Sequence, residues 1–480
     1  MMRRRGAFGG AALGLALLAM TAVEGHAQHA ASAHDMRLVG HDDLQARSAY
    51  QPTIHRQGAR FIAYVGHHGG QRLNPLTQRL EWNGTSVVDV TDPRAPQYLA
   101  HIPGASGEAE AGGAQMARVC DGSDLPKGVP GKTYLLRTLG NAAHEVWDVS
   151  NPREPALVTT VLAGLNSTHK NWWECRTGIA YLVSDGRPFG WRTNRMTKIY
   201  DLADPARPRF IRDFGLPGQE PGSSGPAPDG VHGPISYRNR VYFAYGTSAN
   251  GILQIVDRDK LLTGDPQSPN AFAPTADNLR YPQLGRLDMS PHWGGHTSFP
   301  VLGVRVPDFA PNTQGQVRDF VVLVSESVRN ECQEPRHLTF LVDVTTESRP
   351  FSVSTYQVPA MPGEFCRRGG RFGPHSSSES FTPIYYGKMV FIAYFNAGVR
   401  AVDIRDPFSP KEAAFYIPAT TANTDKRCVK VDGADRCKVA IQTNNVEVDD
   451  RGLIYLVDRA GTGLDIVELT GAARGIVGLP

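Results

Sequence analysis

The chain has 480 residues, and its 50 Lys and Arg nearly balance its 47 Asp and Glu. No basic block marks a groove for a polyanion, so nucleic acid is not an expected partner. Beyond the N-terminus no stretch approaches about 18 uninterrupted apolar residues, so no helical membrane span is expected.

The first 27 residues read as an export signal. Arg3-Arg-Arg5 is the basic start, Ala11 to Met20 the apolar middle, and Gly25-His-Ala27 a small-x-small cleavage site before Gln28. The mature chain is therefore expected in the periplasm or secreted. Residues 28–59 are expected to form an N-terminal segment and residues 60–480 a single repetitive domain.

A run of β-branched or aromatic residues ending in an acid recurs seven times. The instances are Ser86-Val-Val-Asp89, Val146-Trp-Asp148, Ile199-Tyr-Asp201, Ile255-Val-Asp257, Leu341-Val-Asp343, Ala401-Val-Asp403 and Ile466-Val-Glu468. Four are followed by turns of the type Asp92-Pro-Arg-Ala-Pro96. There the acid is expected to cap its own turn, while Pro fixes φ and stops the strand. The longest gap, between Asp257 and Asp343, places the insertions in the fifth unit. Each unit reads as four short strands; in the sixth they fall at about 375–382, 388–395, 398–404 and 412–418. A strand-only repeat of this length predicts an all-β, seven-bladed β-propeller with four-stranded blades. The seventh unit lacks a fourth strand, since only Gly475 to Pro480 remain near the end. The segment around Met36-Arg-Leu-Val-Gly40 is expected to supply it and close the ring, because open strand edges are an aggregation hazard.

The cores Val87-Val-Asp-Val90, Ile255-Val-Asp257 and Leu341-Val-Asp-Val344 make residues 60–470 resemble the LVIVD-repeat β-propeller proteins of bacterial envelopes. The resemblance implies a fold and says little about activity.

Six cysteines in an exported chain suggest up to three disulfides. On the propeller topology Cys120 and Cys175 end inner strands of neighbouring units. Cys332 and Cys366 emerge on one face, and Cys428 and Cys437 share a single connection. None has a Cys-x-x-Cys redox or zinc spacing, so all six read as structural.

His169, His232, His296 and His375 each stand where a unit delivers the chain to the ring axis. Four consecutive blades would thus point an imidazole at one centre, an expected site for a transition metal, Cu or Fe ahead of Zn. The other three units offer His55, Gln115 and Asn444-Asn445 instead. The arrangement is similar to that of carotenoid-cleaving oxygenases, in which a propeller holds iron through four histidines. It is also loosely similar to the selenium-binding-protein type of methanethiol oxidase. Neither family's sequence motifs are evident. Glu174, Glu379 and Glu447, further along inner strands, are expected as hydrogen-bond partners of the ligands. His67, His68, Trp191, Arg192 and Phe365 lie on loops expected to rim a small-molecule entrance. No hydrolase signature is present. The leading expectation is a Cu- or Fe-dependent oxidoreductase acting on a small organic or sulfur compound. The rival is a non-catalytic propeller that binds an envelope protein or polysaccharide.

Overall fold

In a computed structural model the described residues are Met2, 29–306 and 317–479. The proposed export signal lies outside the described residues.

The structure is all-β, 47% strand and 7% helix, and propeller-like. Four antiparallel sheets have four strands each, and a fifth carries one further two-residue strand. Two two-stranded hairpins, Gln71–Asn74 with Arg79–Trp82 and Lys426–Val431 with Ala434–Val439, stand apart, and the other strands join into one larger sheet through a single pairing, Phe395 with Thr443. Within it two four-stranded sets are distinct. One comprises Phe372–Ser377, Met389–Phe395, Val399–Asp403 and Lys411–Ile417; the other begins Thr443–Val448, Leu453–Asp458, Leu464–Leu469. The fourth strand of the last set is Met36–Asp42, antiparallel to Leu464–Leu469. A short strand, Ser32–His34, also lies on the outside of Lys411–Ile417. The first sheet's inner strand is Ala49–Gln57, so the repetitive domain starts before residue 60, earlier than its expected boundary.

The recurring acid has a local cause. The side chains of Asp89, Asp148, Asp201, Asp343 and Asp403 each accept from the backbone N–H two residues on, at 2.8–3.0 Å. The turn leaving each third strand is thereby fixed before Pro ends the strand.

Packing explains why the second strands are continuously apolar. In Ile62-Ala-Tyr-Val65 all four residues are fully buried, and alternate side chains go to opposite neighbours. Ile62 and Tyr64 pack with Leu135 of the next sheet, whereas Ala63 and Val65 pack with Tyr455 and Val457 of the last. Each large apolar side chain so buried contributes about 1.5–3 kcal/mol before entropy is counted. The inner strands also touch in order, and Ala49–Gln57 packs on Thr443–Val448. The insertion holds two short helices, Arg258–Thr263 and Ala276–Arg280, ahead of strand Gln283–Asp288, so it belongs to the fourth sheet. Three disulfides form with the expected pairing, Cys120–Cys175, Cys332–Cys366 and Cys428–Cys437. No helix among the described residues is long and apolar enough to cross a membrane.

Candidate metal centre

His169, His232 and His296 stand at or just before the starts of three inner strands and His375 lies in the middle of a fourth, and the structure brings them together. All four are buried. Their ring centroids follow one another at 4.3, 3.5 and 4.3 Å from His169 to His375. The Nε2 atoms of His169 and His232 are 2.6 Å apart. Burial pushes all four imidazoles well below the ordinary histidine range, so they are neutral, the form that binds metals.

The structure adds two residues that the repeat did not reveal. Glu326, just past strand Val317–Val324, brings a carboxylate to the imidazoles: its oxygens lie 3.8 Å from His296 Nε2 and 3.6 Å from His375 Nε2. His232, His296 and Glu326 each offer a ligand atom within 4.8 Å of the others, a group that could hold a metal ion. The group that could hold an ion thus includes a carboxylate, which the all-histidine expectation did not contain. Tyr50, on the first sheet's inner strand, places its hydroxyl 3.1 Å from His169 Nε2 and meets His375 edge-on.

The orienting partners also differ from expectation. His375 donates its Nδ1–H to the Asn444 carbonyl at 2.6 Å, leaving Nε2 unprotonated and facing Glu326. His296 Nδ1 lies 2.9 Å from the Thr297 hydroxyl. None of the three glutamates expected behind the ligands touches them. A strand rises about 3.3 Å per residue, so Glu379, four positions past His375, stands roughly 13 Å further along. Glu379 instead holds the buried Lys170 and Arg118. Glu447 accepts from the Glu379 backbone N–H at 2.9 Å. Glu174 pairs with Arg258 at 2.7 Å and accepts from the Tyr181 hydroxyl. His55 pairs with Asp121, and the Gln115 amide donates to the Glu110 carbonyl, so neither is an equivalent ligand.

Of the five expected rim residues, only His68 lines the large cavity of about 420 Å³. His67 is buried against the Ser86 hydroxyl at 2.8 Å. Trp191 is in the apolar core, and Phe365 stacks on Phe372. The Arg192 guanidinium donates to the Gly218 carbonyl, tying down a loop. Aromatic side chains in loops here serve as anchors because their apolar area is worth more buried than exposed. The cavity is walled by Arg371, Arg459, Arg427 and Gln442 among others. Arg371 also donates to Glu326 at 2.9 Å, so one carboxylate links the cavity to the imidazoles.

No protein-family model matches the chain, and a search of curated proteins finds no match.

Proposed function

We propose that this chain is an exported seven-bladed β-propeller, closed by Met36–Asp42, that uses an axial transition metal to oxidise a small organic compound. The observation that carries the reading is the convergence of His232, His296 and Glu326, with His169 and His375 beside them. These residues come from four sheets, His296 and Glu326 from neighbouring strands of one of them, and satisfying one another's hydrogen bonds does not account for them. His296 Nε2, which faces the Glu326 carboxylate, is buried without a hydrogen-bond partner. A buried polar atom of this kind is normally satisfied, which favours a bound cation.

Two imidazoles and a carboxylate with further positions open suit iron, and the added imidazoles also suit copper. Such a metal would supply redox chemistry with dioxygen as the oxidant. The residues of this chain hold the ligands neutral and exclude bulk water. Three disulfides and the N-terminal pattern support export to an oxidising compartment.

Elemental analysis of protein purified without chelator tests the reading. Stoichiometric Fe or Cu, lost in the His232→Ala/His296→Ala double variant, is the expected result. Zinc alone would remove the redox role. Metal-free protein whose stability is unchanged by added metal would leave a non-catalytic interaction propeller.

A further inference from the structure

Directly above Glu326, two guanidinium groups share one aromatic ring. Arg371 and Arg459 lie over Phe395 at 5.3 and 5.6 Å from its centroid, and both line the large cavity. Arg371 is satisfied by Glu326 at 2.9 Å. Arg459 is not. It is 8% exposed, its Nη1 is 4.0 Å from Glu326, and its Nη2 reaches only His68 Nε2 at 3.4 Å. Its Nε has no partner. A guanidinium carries five donors, and burying one without a close acceptor is expensive.

Three acids line the cavity, Glu108, Glu110 and Asp425. Glu110 is held by Arg195 at 3.1 Å and acts on Arg459 only through its charge, and Asp425 faces Arg427 at 3.9 Å. The carboxylate that Arg459 comes nearest to is that of Glu326, and it sits closer to Arg371. Burial and the adjacent Arg371 charge push Arg459 down to about 10, against the pull of Glu326 and Glu110.

We infer that the cavity is a carboxylate-binding site whose anchor is Arg459, assisted by Arg371, and that its ligand is a small polar organic acid. The planar guanidinium fork matches a carboxylate bidentately, which a point charge does not. Ser48, Asn83 and Gln442 make the walls polar, each already bonded within the protein, which suits a polar acid over an apolar one. Binding to the arginines is independent of the metal. That this acid is the compound oxidised rests on the proposed function, because Glu326 joins the arginines to the imidazoles.

Calorimetric titration of the full chain with malate and with its uncharged diamide, malamide, tests the inference. Malate is expected to bind one per chain and malamide not to bind. Arg459→Met is expected to weaken malate by about 10- to 100-fold, the worth of a hydrogen-bonded charge pair. Arg459→Lys, which keeps the charge but loses the fork, is expected to give a smaller loss and replaces the Met variant should that fail to fold. The His232→Ala/His296→Ala variant is expected to bind malate still, even when its metal is gone. Equal binding of malate and malamide, no binding of either, or an unchanged Arg459→Met affinity overturns the site. So does loss of malate binding in the double histidine variant. A metal-free wild type that binds malate would refute the metal centre and leave the anion site standing.

Discussion

His169 and His232 face each other through their Nε2 atoms at 2.6 Å, although 63 positions separate them. Two neutral imidazoles so placed can share one proton or turn both lone pairs to a cation. Ligands of one ion at about 2.0–2.1 Å each are separated by roughly 3–4 Å, close to this spacing. His169 stands outside the group formed by His232, His296 and Glu326. His232→Ala is therefore expected to abolish tight metal binding, and His169→Ala to weaken it about 10- to 100-fold. Competition with a metal-sensing dye separates the two; equal losses would show that all four imidazoles are equivalent ligands.

Glu379 holds the buried Lys170 and the partly buried Arg118, with its own side chain fully inaccessible. Removing its charge leaves both cations without their shared partner. Glu379→Gln is expected to destabilise the fold by about 3–5 kcal/mol, the usual cost of breaking a buried pair from one side. Urea unfolding measures it, and a loss below about 1 kcal/mol would mean that water reaches the cluster.

Burial and the nearby Glu379 charge push Glu447 up to about 8. Its folded value is above its unfolded one, so the folded state holds the proton more tightly. The stability it contributes is full below about pH 4.5 and is lost as pH rises through 8. Between those limits the loss is about 1.4 kcal/mol per pH unit. Glu447→Gln removes this linkage, so its stability relative to wild type is expected to improve steadily from pH 5 to 8. A constant difference across that range would show that Glu447 titrates normally.

Cys120 and Cys175 tie the inner strands of two adjacent sheets, 55 residues apart in sequence. Replacing both with Ala is expected to cost about 2–5 kcal/mol, with the metal content unchanged because neither residue approaches the imidazoles. Thermal unfolding and elemental analysis of the same sample check both halves of the expectation.

The four histidines were legible because each occupies the same point of a repeat, and a repeat converts sequence spacing into spatial register. Glu326 was not legible from that point, since it leaves a second strand rather than entering a first. A signal did exist. Glu326, Asn396 and Arg459 each follow the apolar run of a second strand, where a buried polar residue needs a reason. Aligning those strand exits would have brought Glu326 and Arg459 forward together. The three glutamates lie too far along the chain from the histidines to reach them, because a strand advances about 3.3 Å per residue. The expected rim failed because Trp191 and Phe365 look alike in sequence whether they greet a ligand or nail down a loop.

Arg37 and Glu468, 431 positions apart, form an ion pair in the sheet that Met36–Asp42 completes. That outer strand is among the first parts of the folded region to be made, yet its neighbour is among the last. Until synthesis has delivered Leu464–Leu469, the early strand has nowhere to dock. Completion of this sheet is thus a late event, and a nascent chain holds an unfinished scaffold.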